Sequence, residues 1–494
     1  MPKKVIAIDQ GTTSSRAVLF DEKNNLLDFE QKEFNQYFPN DGWVEHDPEE
    51  IWGSVFEVTD RLLKKHSLKS SDIAGIGITN QRETTVVWDK KSGKAIYPAI
   101  VWQDRRTSEL CDGLRNEAGI EQKIQQKTGL LVDPYFSATK LAWILDNVTG
   151  ARKKAENGEL AFGTIDSFLV WRLTEGRQHK TDATNASRTM LFNIDSHCWD
   201  DELLDFLKIP RKILPEVCDS AHDFGDTSLF GGSLKIGGIA GDQQSALIGQ
   251  CCFNRGEAKS TYGTGCFLLL NTGDKRISSA NKLLSTIAYR FDGKTTYGLE
   301  GSIFVAGSAI QWLRDELNFF ESAKDSEEII SHRNTKSKVL VVPAFTGLGA
   351  PHWDPDSRGS IFGLTRDTSI ADLTAATLES IAFQTKDLIG AMESDGAKFS
   401  ELRVDGGMVA NNWFSQQLAN ILNIDVLRPR VIETTALGAS YLASINAGLS
   451  PNIESLNSSW ESEKKFHSQK KENKILQEKY KTWLSAVERT KGLY

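Results

Sequence analysis

The chain has 494 residues, of which 39% are hydrophobic and 25% are charged, and its formal net charge is −8. This length predicts about two or three domains, and the composition is typical of a soluble globular protein. The negative balance argues against nucleic acid as the main partner, because binding a phosphate backbone needs a cationic face. Six scattered cysteines without a Cys-x-x-Cys pair favour a reducing compartment. We expect a cytoplasmic protein without a membrane span, since the apolar runs are too short to cross a bilayer.

The predicted elements of the N-terminal half alternate between strands and helices. Val5–Asp9 and Arg16–Asp21 predict a hairpin around a turn of Gly, Thr and Ser residues, and Pro48–His66 predicts a helix. Strands are predicted at Ile73–Thr79 and Thr84–Asp89. This mixture, which continues along the chain, predicts the α/β class.

A second hairpin of the same kind is predicted near the middle of the chain. Ala258–Tyr262 and Cys266–Asn271 flank the turn Gly263-Thr264-Gly265. Two similar turns half a chain apart suggest two related lobes. We place the boundary between them near residues 247–256.

The C-terminal region contains a Gly-Gly turn and a charged tail. Leu402–Gly407 predicts a strand running into that turn, followed by a helix over Met408–Leu422. Helix N-termini suit anionic ligands or nucleotides, because their N–H groups are free. The stretch rich in Lys, Glu and Ser from about residue 454 to 491 predicts a mainly solvated helical tail, with Trp483 and Leu484 as docking points.

The first turn, from Asp9 to Arg16, combines a carboxylate, several hydroxyls, a cation and the backbone N–H groups near Gly11. Such a set suits phosphates and a hydrated Mg²⁺ ion near Asp9. A plain hairpin turn uses the same residue types, so that interpretation stays open. The P-loop pattern Gly-x-x-x-x-Gly-Lys-[Ser/Thr] is absent from the chain.

Two further positions suggest chemistry on a hydroxyl compound. Arg82 and Glu83 follow a strand and offer donors and acceptors to a polyol, although a solvated surface ion pair is the alternative. Asp242 lies between a Gly-flanked strand and a predicted helix. It suits a general base in phosphoryl transfer or, equally, a helix N-cap. Trp102 and Phe267 would flank a carbon chain or simply belong to the core.

Taken together, these segments resemble the FGGY family of carbohydrate kinases. Six strings carry the resemblance, in family order over residues 5–445: Asp9-Gln10-Gly11-Thr12-Thr13-Ser14-Ser15-Arg16, Thr79-Asn80-Gln81-Arg82-Glu83-Thr84-Thr85, Gly241-Asp242-Gln243-Gln244, Tyr262-Gly263-Thr264-Gly265-Cys266, Pro343-Ala344-Phe345 and Asp405-Gly406-Gly407. The Asn-Gln-Arg-Glu string looks like that of the family's glycerol kinases. Its sugar kinases tend to carry Met-His-Gly at that position.

The resemblance implies a fold, a reaction and its cofactors. The fold is the two-lobed actin-like ATPase (ribonuclease H-like) fold with a central cleft. Residues 1–250 would form the N-terminal lobe, which binds polyol and phosphates, and residues 251–494 the nucleotide-binding C-terminal lobe with its tail from about residue 454. The reaction is ATP-dependent, Mg²⁺-assisted phosphorylation of glycerol to sn-glycerol 3-phosphate. The resemblance also implies a homo-oligomer, either a dimer or a tetramer.

The family's site residues map onto matching residue types in this chain. Asp242 would be the catalytic general base, and Asp9 the carboxylate associated with Mg²⁺. The remaining substrate contacts are Arg82, Glu83, Tyr135 and Gln243, with Trp102 and Phe267 as aromatic walls. The nucleotide contacts are Thr12, Thr13, Ser14, Arg16, Thr264, Gly307, Gln311, Gly407 and Asn411.

Two forms of control known in the family are expected to be absent. Some bacterial members bind fructose 1,6-bisphosphate through a Gly-Gly-Lys-Gly-Gly-Thr-Arg loop, whereas the corresponding stretch 230–235 reads Phe-Gly-Gly-Ser-Leu-Lys, without the Arg. Other relatives carry a phosphorylatable His in this region, and residues 226–238 contain none. Two rival interpretations stay open: a family kinase for a longer polyol or sugar, and a catalytically inactive relative that serves as a regulator or scaffold.

Overall fold

The computed structural model describes residues 3–334, 336–354 and 356–492. Up to residue 249 the described strands are β1 (Lys4–Gln10), β2 (Ser14–Phe20), β3 (Leu26–Glu33), β4 (Glu45–His46), β5 (Ile73–Asn80), β6 (Val86–Asp89), β7 (Ala99–Ile100), β8 (Leu160–Gly163), β9 (Lys180–Asp182), β10 (Phe192–Asn193), β11 (Cys198–Trp199), β12 (Glu216–Cys218), β13 (Asp226–Thr227) and β14 (Leu234–Gly241). The helices of this half are α1 (Pro48–Lys65), α2 (Ser108–Asn116), α3 (Ile120–Thr128), α4 (Ser137–Asn147), α5 (Ala151–Asn157), α6 (Ile165–Leu173), α7 (Ala183–Ala186), α8 (Asp201–Phe206) and α9 (Asp242–Gly249).

The second half continues the mixture of strands and helices. Its described strands are β15 (Glu257–Tyr262), β16 (Cys266–Gly273), β17 (Leu284–Phe291), β18 (Lys294–Ile303), β19 (Leu340–Val342), β20 (Ser360–Phe362), β21 (Glu401–Asp405), β22 (Val426–Pro429) and β23 (Ser462–Phe466). Its helices are α10 (Gly307–Asp315), α11 (Ser326–Ile330), α12 (Ile370–Ser394), α13 (Asn412–Leu422), α14 (Thr434–Asn446) and α15 (Lys470–Thr490).

Two large mixed sheets organise the molecule. The first has the order β13-β14-β5-β1-β2-β3, and the second has the order β17-β18-β16-β15-β21-β22-β23. In the first sheet β1 pairs antiparallel with β2 and parallel with β5, and β5 pairs parallel with β14. In the second sheet β15 pairs antiparallel with β16 and parallel with β21, and β21 pairs parallel with β22. The two predicted small-residue turns therefore lie at equivalent positions in two similarly paired sheets.

Most of the predicted elements are confirmed, with differences at the ends of some elements and in the tail. Both hairpins form, and α1 ends one residue before the predicted limit. The strand predicted from Thr84 begins only at Val86, and the helix predicted from Met408 begins at Asn412 after a 3₁₀ turn. The tail contains the predicted helix as α15, but β23 precedes it and pairs with β22. None of the described helices is long and apolar enough to cross a membrane.

Helix α14, from the second half of the chain, packs closely on the first sheet because glycines let its backbone approach, and α9 contacts β15, β16 and β17 of the second sheet. Helix α14 packs against β5, β14 and α9 of the first half. A Cβ atom at Gly77 of β5 would lie only 2.0 Å from the carbonyl oxygen of Ala439 in α14. Apolar residues of both halves, among them Leu247, Leu269 and Leu437, share one buried cluster beneath this contact. The ends of β1, β5 and β14 thereby acquire a fixed position relative to the second sheet.

Candidate active site

The candidate site begins at the carboxyl ends of three neighbouring parallel strands. Asp9 lies opposite Thr79 in the β1–β5 register, and Gly241 lies opposite Asn80 in the β14–β5 register. Arg82 follows β5 and Asp242 follows β14, so their side chains and that of Asp9 lie at the same edge of the sheet. Open α/β sheets bind ligands at this edge, beyond the carboxyl ends of their strands.

Arg82 is the centre of the polar part of the site. Its side chain is buried, and its Nε lies 3.0 Å from Oδ1 of Asp242. Its Nη1 donates to Glu300 at 2.5 Å, and its Nη2 donates to the other oxygen of Glu300 at 3.2 Å. Longer contacts reach Gln244 at 3.3 Å and the Tyr135 hydroxyl at 3.4 Å. The solvated surface pair that the sequence left open is therefore wrong.

Glu83 adopts an uncommon backbone conformation beside Arg82. Its φ angle is +59°, which is rare for a residue other than glycine, and its side chain is buried. Hydroxyls of Thr85 and Ser137 donate to its carbonyl oxygen at 3.1 and 3.0 Å, and Arg188 Nε donates to its carboxylate at 2.6 Å. Burial raises the pKa of Glu83, while Arg82 and Arg188 act against that shift. Such strain is typical of a site that must present one side chain in a set direction.

Asp242 is the first residue of α9, and the helix is capped by Gly241 without a side-chain cap bond. The capping interpretation therefore does not describe this geometry. Its Oδ1 accepts from the Gln243 amide at 2.7 Å, and its side chain remains 34% exposed. An oriented carboxylate that is still exposed to solvent has the access that a general base needs.

Aromatic side chains form a wall beside these polar groups. The Trp102 ring centroid lies 5.7 Å from that of Tyr135 and 6.4 Å from that of Phe267, both in edge-to-face arrangements. Trp102, Tyr135 and Phe267 are only partly buried, so they are not simply members of the core. Carbon atoms of a small polyol fit such a wall, because its faces are apolar.

The turn between β1 and β2 adjoins this wall. Trp102 Nε1 donates to the Thr12 hydroxyl at 3.0 Å, and the Gly11 amide donates to the Ser14 carbonyl at 2.9 Å. Arg16 extends from β2 to Glu433 at 2.7 Å and to Gln31 at 3.0 Å. Thr13 at the tip of the turn is exposed. The turn therefore lies beside the aromatic wall, with Thr13 exposed at its tip.

Gln243 is held by a buried lysine that sequence reasoning missed. The Lys259 Nζ atom donates to Gln243 Oε1 and, at 3.1 Å, to the Thr261 hydroxyl. Burial lowers the pKa of Lys259, and the carboxylates of Asp405 and Asp242 oppose that shift. Because its oxygen accepts from Lys259, the Gln243 side chain keeps its amide N–H groups for another partner.

The predicted nucleotide residues of the second half gather around the turn between β15 and β16. The Gly263 carbonyl accepts from the Gly307 amide at 2.9 Å, and the Thr264 carbonyl accepts from the Ser308 amide at 3.0 Å. Gly406 has a φ of +90°, and a Cβ there would lie 2.4 Å from the Tyr262 carbonyl oxygen. This close approach brings the Gly406-Gly407 turn onto the hairpin.

Two other predicted nucleotide residues lie on helices that border this turn. Asn411 caps α13 by accepting from the Phe414 amide at 2.9 Å and donates to Ser326 at 3.1 Å. Gln311 lies exposed on α10, the helix that starts at Gly307. The described contacts thus place the predicted residues in two groups, one at the end of each sheet.

Asp9 is the residue assigned to Mg²⁺ by the resemblance. Its surroundings fit a cation that Asp9 would hold together with the phosphates of a nucleotide. Burial raises its pKa to about 7, Arg16 acts to lower it, and the charges of Glu433 and Asp242 raise it further. A second positive charge would stabilise the ionised carboxylate there. Mg²⁺ in phosphoryl-transfer sites is held by one or two carboxylates together with phosphates and water, which this arrangement allows.

Sequence reasoning missed Glu300, Arg188 and Lys259, all of which contact predicted site residues. Each is less than 2% exposed. Charged residues are seldom buried without partners, so each of these must be paired. The signal available in the sequence was a single charge within an otherwise apolar or small-residue strand, as for Glu300 in Tyr297–Ile303. That signal shows that a partner is needed and does not show which one.

Comparisons with known proteins show the family of this chain. The N-terminal domain of the FGGY family of carbohydrate kinases matches residues 4–249, and its C-terminal domain matches residues 258–447. The glycerol kinase of Marinomonas sp. (strain MWYL1) is 57% identical over 99% of both chains. Glycerol kinase 1 of Pseudomonas aeruginosa is 55% identical over 100% of both chains.

Solved structures share the architecture. Plasmodium falciparum glycerol kinase with ADP superposes with a TM-score of 0.93 and 36% identity, covering 99% of this chain and 98% of that one. Gluconate kinase from Lactobacillus acidophilus, at 24% identity and a TM-score of 0.91 over 100% of this chain and 99% of that one, shows the fold alone. The protein has the predicted α/β, actin-like ATPase fold. With both domain matches and full-length relatives of this similarity, the chain belongs to the FGGY family of carbohydrate kinases, among its glycerol kinases.

Proposed function

We propose that this protein transfers the terminal phosphoryl group of ATP to glycerol, giving ADP and sn-glycerol 3-phosphate. The observation that carries the proposal is the cluster of Arg82, Glu83 and Asp242 beside the wall of Trp102 and Phe267. Polyol hydroxyls both donate and accept hydrogen bonds, so they need a cationic donor and an anionic acceptor at one point. Family membership and the full-length glycerol kinase relatives support the same substrate.

Asp242 is assigned as the general base. Its carboxylate takes the proton of one glycerol hydroxyl as that oxygen attacks the γ-phosphorus of ATP. The bond from phosphorus to the bridging oxygen breaks, and ADP leaves with that oxygen. Arg82 at 3.0 Å orients the carboxylate, and Glu83, Tyr135 and Gln243 hold the remaining hydroxyls.

The nucleotide is assigned to the two turns. Thr12, Thr13, Ser14 and Arg16 would meet the phosphates from the first sheet, while the turns near Thr264, Gly307 and Gly407 would hold the rest of ATP with Gln311 and Asn411. Asp9 would hold Mg²⁺, which supplies positive charge to the phosphates during transfer. Backbone N–H groups of the first turn add fixed dipoles without reorganisation.

We also propose that the two halves of the chain bind different parts of the substrates. Residues 1–250 bind polyol and phosphates, residues 251–494 bind the nucleotide, and closure of the cleft excludes competing water. The two family-domain matches meet between residues 249 and 258, which supports a boundary there. The cytoplasmic location and the dimeric or tetrameric state stay predictions.

The test of the proposed function is an ADP-release assay with a substrate panel. We expect glycerol to give the highest kcat/KM, with four- and five-carbon polyols and sugars far lower, because the full-length relatives of this chain are glycerol kinases. A higher kcat/KM for a longer polyol or a sugar would move the protein to the rival substrate class. Absence of turnover with every compound would favour the regulator or scaffold interpretation.

Fructose 1,6-bisphosphate is expected to leave the activity unchanged. The stretch 230–235 covers part of the loop 228–233 between β13 and β14 and the first two residues of β14, with Gly231 and Gly232 at φ angles of +77° and +152°. Bisphosphates are bound best by arginines, whose guanidiniums make two hydrogen bonds to a phosphate. Lys235 cannot do this, and it is already paired with Asp223 at 3.3 Å. Initial rates at fixed glycerol and ATP, with and without millimolar bisphosphate or the phosphotransferase carrier protein, check this. Saturable inhibition would contradict the prediction.

A further inference from the structure

A buried network of four charged residues lies behind the polyol site. We call it the four-residue network: Arg82, Glu83, Arg188 and Glu300. Each is at most 3% exposed. Arg188 Nε donates to Glu83 at 2.6 Å, and Arg188 Nη2 donates to Glu300 at 2.9 Å. Glu300 also accepts hydrogen bonds from both terminal nitrogens of Arg82. Arg82 Nε also lies 3.9 Å from Glu83, so two cations and two anions alternate around a closed set of contacts.

Glu300 enters this network from the other half of the molecule. It belongs to β18 of the second sheet, whereas Arg82 follows β5 of the first sheet and Arg188 follows α7. Burial by itself would raise the pKa of Glu300, but the guanidiniums of Arg188 and Arg82 hold it at about 2. The carboxylate is thus a permanent anion that the second sheet supplies to the polyol site.

The contacts divide the donors of Arg82 between distinct tasks. Glu300 takes one N–H from each terminal nitrogen, while Nε forms ion pairs with Asp242 at 3.0 Å and Glu83 at 3.9 Å. The remaining N–H groups face Gln244 at 3.3 Å and the Tyr135 hydroxyl at 3.4 Å. These longer contacts are the ones that a substrate hydroxyl can replace, because they are the weakest of the set.

Without Glu300, the guanidinium would lose the partner that sets its plane. Asp242 would then be its strongest accessible anion, and a rotated Arg82 would cover the base and withdraw from the substrate. Arginine is a long, flexible side chain, and only two-point pairing holds its fork in one orientation. We propose that Glu300, backed by Arg188, positions Arg82 and thereby sets the affinity of the site for its polyol, an inference that rests on the proposed function.

The experiment compares Glu300→Gln with the wild-type protein. KM and kcat are measured for glycerol and ATP, and direct glycerol binding is measured by calorimetry. We expect the KM and Kd for glycerol to rise about tenfold to a hundredfold, which corresponds to the loss of one hydrogen bond to a charged group. The KM for ATP should stay within about twofold of the wild-type value. Equal changes for both substrates, or none, would overturn the proposal.

The matched control is Asp200→Asn, which neutralises another buried carboxylate. Asp200 pairs with Lys127 at 2.8 Å and caps α8, and it has no contact with the four-residue network. Its loss is expected to lower the melting temperature without changing the ratio of the two KM values. If Glu300→Gln behaves like this control, its role is structural and the positioning role is wrong.

A second variant covers the case in which Glu300→Gln does not fold. Arg188→Lys keeps the charge but loses the rigid fork that reaches Glu83 through Nε and Glu300 through Nη2. The same selective rise in glycerol KM is therefore expected. An unchanged KM ratio in this variant would overturn the proposal. A wild-type protein that neither binds nor phosphorylates glycerol would instead overturn the proposed function.

Discussion

Replacing Asp242 by Asn is expected to lower kcat for glycerol phosphorylation by about 10²–10⁴-fold, the usual contribution of a positioned general base. The amide keeps the shape of the carboxylate but cannot accept the hydroxyl proton. Glycerol binding, measured by calorimetry, should persist because Arg82 keeps Glu300 as its main partner. The rate is checked by ADP release at saturating glycerol and ATP.

The control for this variant is Asp47→Asn, the same change at the N-terminus of α1. Asp47 accepts from the Glu49 amide at 2.8 Å and has no part in the proposed site. It is expected to leave kcat unchanged. A near-normal kcat in the Asp242→Asn protein would contradict the assignment of the base and would move that role to another group.

Replacing Arg82 by Ala is expected to raise the KM for glycerol far more than the KM for ATP. Each lost hydrogen bond to a charged group costs about 1.5–3 kcal/mol, which corresponds to roughly a tenfold to 150-fold change. Arg82 is the residue that connects Asp242, Glu300 and the Tyr135 hydroxyl. Steady-state kinetics with each substrate varied in turn measure the two KM values.

The Arg82→Ala variant also removes a partner from a buried carboxylate, so its stability needs a control. Arg290→Ala removes a mostly buried guanidinium that pairs with Asp219 at 2.5 Å outside the site. Both proteins are expected to melt at a lower temperature, because unpaired buried charge is costly. Only Arg82→Ala should separate the two KM values. Parallel effects on both substrates in both variants would indicate a general folding defect.

Local signals in the chain were sufficient for the hairpins, the first helix and the family assignment. Strand alternation, turn residues and helix periodicity act over a few neighbouring residues, so β1, β2, β15 and β16 could be predicted directly. The residues at the ends of strands, such as Asp9, Arg82 and Asp242, were also found locally. Their proximity follows from parallel pairing, which places successive strand ends at one edge.

The tail shows where local signals fail. Four of the five residues of Ser462–Phe466 are polar or charged, and all four are exposed. Such a composition is typical of a solvated segment and does not indicate a strand. The segment becomes a strand because β22 offers an unpaired edge, and that edge exists only after the second sheet has formed. Trp483 in α15 is buried and donates to the Val341 carbonyl at 2.9 Å, as a docking point should.

The polar interior of the site was decided by tertiary structure alone. Glu300 is separated from Arg82 by 218 positions and from Arg188 by 112, and no short-range pattern links residues so far apart. A buried charged residue indicates only that a residue of opposite charge must lie beside it. Which charge it meets depends on how β18 is placed against the ends of β5 and α7. That placement follows from the packing of α9, which contacts strands of both sheets. The sequence could name the groups that would touch a substrate, whereas the groups that hold them in place emerge only from the folded chain.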